Sequence, residues 1–139
     1  MTLDNLDFQT DYLSLDNEFY DMTDPIPLDD PYLISFNPYA SELIGLDESS
    51  AKDPRFVELL NGTFIPEGVR PFSMCYAGHQ FGHYAPRLGD GRAINLGSIN
   101  GWHLQTKGGG ETLYARMSDG RAAIPSSIRE YLMSEAMHH

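Results

Sequence analysis

Basic side chains are missing from the first third of this 139-residue sequence: residues 1–51 hold twelve Asp and Glu and no Lys or Arg. A surface that tracks nucleic-acid phosphates needs clustered cations, so this composition argues against nucleic acid as a partner. Cysteine is almost absent too, and a single Cys75 excludes an internal disulfide and a thiolate zinc cage. It reads as a small packed residue rather than a reactive thiol. No apolar run approaches the length of a membrane span, and the first residues lack both the basic start and apolar core of a signal peptide and the arginines of a mitochondrial presequence. These absences predict a cytoplasmic protein with no membrane partner.

What is present is unevenly divided. The formal net charge is −11, but residues 52–139 carry eight acidic and nine basic side chains, so the acidity belongs to the leading segment. Residues 1–31 mix acids with scattered aromatics and leucines and end in Asp24-Pro25-Ile26-Pro27. Such a composition folds against another surface but builds no core alone. It predicts an extended acidic arm, the least compact part of the chain. The arm is either a docking or regulatory tail or, the reading preferred here, an ordered strap over the domain. Residues 32–139 form the second unit.

Within that unit, Tyr32-Leu33-Ile34-Ser35-Phe36 alternates and predicts a short strand broken at Asn37-Pro38, after which Ser41 would cap a short helix ended by Gly45. Asp53-Pro54 predicts the cap and first residue of a second helix running to Asn61-Gly62. His79 and His83, four apart, would suit a metal only on a helix, and Gly78 and Gly82 weaken one. With no carboxylate or thiolate to complete a set, a hydrogen-bonded structural role is the reading for both. Residues 93–97 and 102–107 predict a hairpin whose second strand places Trp102, Leu104 and Thr106 on one face and His103, Gln105 and Lys107 on the other. Thr112 to Arg116 reads as a further short strand. A last helix starts near Pro125, with Ile128, Tyr131, Leu132 and Ala136 on one side and Met133 and Met137 on the other. No stop residue follows that pattern, which predicts that the sequence is a fragment, although the terminal His138-His139 also suits a tag remnant.

Glycine-arginine turns beside a strand-borne lysine suggest a site for nucleotide phosphates. Glycine lets backbone N–H groups approach phosphate oxygens, arginine adds a fork of donors and lysine a point charge. The alternative is that these are ordinary hairpin turns. Five stretches occur in order: 76–83 (YAGHQFGH), 88–94 (LGDGRAI), 107–110 (KGGG), 119–122 (DGRA) and 126–137 (SSIREYLMSEAM). Together they resemble the amino-terminal part of the selenoprotein O family, kinase-like proteins that transfer AMP from ATP to protein hydroxyls.

The resemblance implies an α+β fold: a kinase-like amino-terminal lobe, an antiparallel β-sheet with a packed helix, preceded by the acidic arm and short helices. It also implies ATP and Mg2+ or Mn2+ as cofactors and proteins as substrates, modified on Ser, Thr or Tyr. By the same resemblance, Gly89, Gly91 and Arg92 form a phosphate-contacting turn, Lys107 is the nucleotide lysine, Asp119 and Gly120 are a further nucleotide-binding pair, and Glu130 pairs with Lys107. Glu135, within the apolar stripe, is the other possible partner. No catalytic or metal-binding residue is expected in this chain, because a kinase-like site takes its base and metal ligands from the following lobe. The chain alone is therefore expected to be inactive. A non-catalytic nucleotide-binding or protein-interaction remnant is the rival reading.

Overall fold

A computed structural model describes residues 3–139. It is an α+β structure centred on the hairpin of β5 (Ala93–Ile99) and β6 (Trp102–Lys107). The connecting residues Asn100 and Gly101 both have positive φ, 52° and 81°, as a twist-matched two-residue hairpin turn requires. Two short strands, β1 (Tyr20–Met22) and β2 (Phe72–Met74), complete an antiparallel sheet in the order β1-β2-β5-β6. A separate hairpin pairs β3 (Gly78–Gln80) with β4 (His83–Ala85).

The period of two along the central hairpin sorts core from site. Ile94, Leu96 and Leu104 turn to the apolar side, where Leu96 packs with buried Leu3, Leu46, Leu59 and Val69. Burying a leucine side chain contributes about 1.5–3 kcal/mol, so this cluster holds the sheet onto its underlying loops. Asn95, Gln105 and Lys107 face the opposite way. Pairing of β5 with β2 is confined to Phe72 and Asn95. Beyond a bulge between Asn95 and Gly97, Gln9 exchanges two 2.8 Å backbone hydrogen bonds with Ser98. Gly97 has φ 120°, and a Cβ there would lie 2.6 Å from the Gln9 carbonyl oxygen.

The acidic leading segment lies across this framework as a strap. Leu3 belongs to the core cluster, β1 is an edge of the sheet, and Tyr12 stacks on Phe72 at 5.3 Å between ring centroids. Further along, Pro25 packs on Gly62, and Leu28 exchanges hydrogen bonds of 2.8 and 3.2 Å with the Asn61 side chain.

Three sequence expectations fail. Residues 32–36 form no strand, and Ser41 is not a cap: α1 (Pro38–Leu43) starts earlier, with Asn37 Oδ1 accepting from the N–H groups of Tyr39 and Ala40. A residue before proline is held extended, which suits a strand end and an N-cap alike, so the pattern alone misplaced the start. Thr112 to Arg116 is a run of turns instead of a strand, and Arg116 and Met117 have φ of 51° and 66°. By contrast, α2 (Pro54–Asn61) has the expected Asp53 cap and a left-handed Gly62 at its end. The last helix, α3 (Ile124–His138), has no buried residue.

Candidate nucleotide site

The polar side of the sheet opens on a cleft of about 550 Å3 lined by Gly89, Gly91, Arg92, Gln105 and Lys107. Its floor is a buried polar network that the sequence pattern did not reveal. The Asp90 carboxylate, 7% exposed, accepts hydrogen bonds from the Met74 N–H at 3.0 Å, the Tyr76 hydroxyl at 2.9 Å and Asn95 Nδ2 at 2.9 Å. Gln105 Nε2 donates to Asn95 Oδ1 at 3.0 Å, carrying the chain of bonds to the strand that bears Lys107. Burial and the bond to Asp90 push the Tyr76 hydroxyl up to about 12. Aspartate in a glycine turn is usually read as a turn former, which is why its inward role escaped the pattern.

The two glycines of this turn do different things. Gly89 has φ 60°, and a Cβ would stand 2.3 Å from Cγ of the buried Tyr114 ring. Its N–H donates to the Tyr76 carbonyl at 3.0 Å and that of Asp90 to the Met74 carbonyl at 2.9 Å. Among the described residues nothing takes up the N–H groups of Gly91 and Arg92. Gly89 therefore serves close packing, and the donors left for a ligand are those of Gly91 and Arg92.

Lys107 Nζ lies 2.7 Å from Glu130 Oε2, joining the end of β6 to the second turn of α3. Both side chains are 45% exposed, where an ion pair contributes only about 0.2–1 kcal/mol. Its effect is orientation more than stability. The hydrogen bond from Lys107, aided by the charges of Lys107, Arg92 and Arg129, holds the Glu130 carboxyl below its usual value. Glu135 is engaged elsewhere, accepting from Asn37 Nδ2 at 2.7 Å and lying 3.3 Å from His139.

Asp119 and Gly120 are placed differently from the other four nucleotide candidates. Asp119 Oδ1 accepts from the Arg121 N–H at 2.9 Å, closing a local turn. Gly120 is buried against the 108–110 turn, where a Cβ would meet the Gly110 carbonyl oxygen at 1.9 Å. They brace the cleft from behind its lysine. His79 and His83 sit on opposite strands of the β3–β4 hairpin, His79 against the Tyr84 ring at 5.4 Å.

The family model described as Protein adenylyltransferase SelO matches residues 2–139. The chain belongs to the SelO family. Curated SelO relatives named Protein nucleotidyltransferase YdiU include one from Thiobacillus denitrificans, 46% identical over 142 residues that cover 99% of this chain and 29% of its own length. One from Thioalkalivibrio sulfidiphilus is 47% identical, covering 98% of this chain and 29% of its own. A third, from Azoarcus, is 48% identical, with 86% and 24% covered. The chain thus spans under a third of the length of the SelO relatives it matches. Among the described residues no helix is long and apolar enough to cross a membrane.

Proposed function

We propose that this chain is the nucleotide-holding lobe of a protein adenylyltransferase, which moves AMP from ATP to Ser, Thr or Tyr hydroxyls of protein substrates. The observation that carries this reading is the Lys107–Glu130 pair at 2.7 Å, whose lysine lines the same cleft as Gly91 and Arg92. Adenylyl transfer breaks the bond between the α- and β-phosphates while an acceptor oxygen forms a bond to the α-phosphorus, with pyrophosphate leaving. Catalysis of such a step rests on positioning and on charge placed near the phosphate oxygens. Lys107 supplies a point charge, Arg92 a forked donor, and the Gly91 and Arg92 N–H groups backbone donors. Glu130 keeps the lysine aimed. Asp119 and Gly120 support that arrangement through the turn behind Lys107.

The donor set fits the phosphates of ATP. Among the described residues no three His, Cys, Asp or Glu side chains group to hold a metal ion. Mg2+ or Mn2+ would neutralise phosphate charge in the whole enzyme, and its ligands and the catalytic base are assigned to no residue of this chain. Binding of labelled ATP to the purified chain tests the reading. Lys107→Ala should weaken binding about tenfold and Glu130→Gln by a smaller factor, as expected for loss of a charge-assisted contact and of its orienting partner. Equal affinity in the wild type and Lys107→Ala would sink it. With α-labelled ATP, divalent metal and a generic protein acceptor, the chain alone should transfer no AMP. Lysine-dependent labelling would show a self-sufficient catalytic unit.

A further inference from the structure

We infer that Arg121 and the strap backbone at Ile26 and Pro27 form a clasp that positions Lys107, making Arg121 a positioning residue of the nucleotide site. The inference rests on the nucleotide-binding reading of the cleft. Lys107 ends β6, and the glycines that follow have little intrinsic preference for one conformation. Something outside the turn must fix it. Gly108 has φ 97°, Gly110 has φ 129°, and the structure shows what holds each.

The Gly108 N–H donates to the Arg92 carbonyl at 2.8 Å, so one backbone bond ties the residue after Lys107 to a second cation of the cleft. The Gly108 carbonyl accepts from Arg121 Nη1 at 3.4 Å, and the same nitrogen donates to the Ile26 carbonyl at 2.7 Å. Arg121 Nη2 reaches the Pro27 carbonyl at 3.3 Å. One guanidinium therefore gathers three carbonyls from two segments more than eighty residues apart in the sequence. The strap answers directly: the Ile26 N–H donates to the Gly109 carbonyl at 2.7 Å, and a Cβ on Gly110 would meet Ile26 Cβ at 2.8 Å. Gly120, next to Arg121, closes over the Gly110 carbonyl. No acidic side chain is paired with Arg121 among the described residues, so its charge is committed to backbone dipoles.

This gives the acidic leading segment a part in the site without touching the ligand. Its test separates positioning from general support by using the full chain, two ligands and a double substitution. Arg121→Gln should weaken ATP binding about fivefold to tenfold, the range expected when charge-assisted hydrogen bonds are lost, and leave binding of adenosine, which has no phosphates, unchanged. In a Lys107→Ala background the same substitution should add less than about a twofold loss, because residues acting through one contact are not additive. Arg121→Lys, which keeps the charge but not the fork, serves if Arg121→Gln fails to fold. It should give an intermediate, Lys107-dependent loss. Equal losses for ATP and adenosine, a full loss in the Lys107→Ala background, or no loss with either variant would overturn the clasp. Lys107-dependent ATP binding in the wild type would still stand in those cases, so the two readings fail separately.

Discussion

Replacing Gly89 with alanine sets a methyl group against the Tyr114 ring at a backbone angle that L-residues avoid. The two effects together should cost about 3 kcal/mol, read as a lowered urea midpoint. Asp90→Ala should cost a similar amount, about 3 kcal/mol, because the Met74 N–H, the Tyr76 hydroxyl and the Asn95 amide would all lose their shared acceptor. Glu130 carries a pH signature. Its carboxyl is held below the ordinary 4.5, so its stabilising contribution is present above that value and lost as pH falls through the lowered folded one. Carboxyl chemical shifts followed by NMR should show Glu130 titrating below the ordinary value, and Lys107→Ala should return it there. At this scale the motif residues of the cleft were legible as chemistry, since Gly, Arg and Lys have few reasons to cluster. Their supports were not. Asp90, Asn95 and Tyr114 become partners only when β2, β5 and the 112–116 turns meet, and no local spacing encodes that meeting.

Among the elements, those with a strong start or stop signal were readable: the Asp53-Pro54 start and Gly62 end of α2, and the alternation of the central hairpin, although the sequence places its turn at 98–101 and β5 in fact runs on to Ile99. The three-residue strands were not readable, because a few tenths of a kcal/mol of propensity do not outweigh tertiary contacts. β1 shows this: its sequence Tyr-Asp-Met has no strand pattern, and it is a strand because β2 lies beside it. α1 connects two parts of the structure. Asn37 caps its first turn and also donates to Glu135 on α3. Asn37→Ala should therefore cost about 1–2 kcal/mol, the loss of a cap plus a charge-assisted bond, seen as a fall in thermal midpoint. Asn37→Ser should keep the cap and lose only the contact with Glu135, so its cost should fall between wild type and Ala.

For the molecule as a whole, composition predicts that residues 1–31 are the least compact part, whereas the strap is pinned at discrete points. Hydrogen exchange should be uneven along it. The amides of Gln9, Thr23, Ile26 and Leu28, each hydrogen-bonded to a distant residue, should exchange slowly. Those of Asp29 and Asp30, exposed and without such bonds among the described residues, should exchange fast. Uniformly fast exchange through the strap would contradict this placement of Gln9 and Ile26.

The order of the sheet also has a consequence in time. β1 is made first, yet its neighbour β2 lies some fifty residues later, and the partners of Ile26 and Pro27 later still, at residues 109 and 121. On a ribosome adding about 5–20 residues each second, the leading segment waits several seconds without the surface it will cover. A waiting segment that carries tyrosines, phenylalanines and leucines is at risk of sticking to its neighbours. With nine acids among the first thirty-one residues and no cation to neutralise them, like charges keep copies of this one apart until the hairpin arrives.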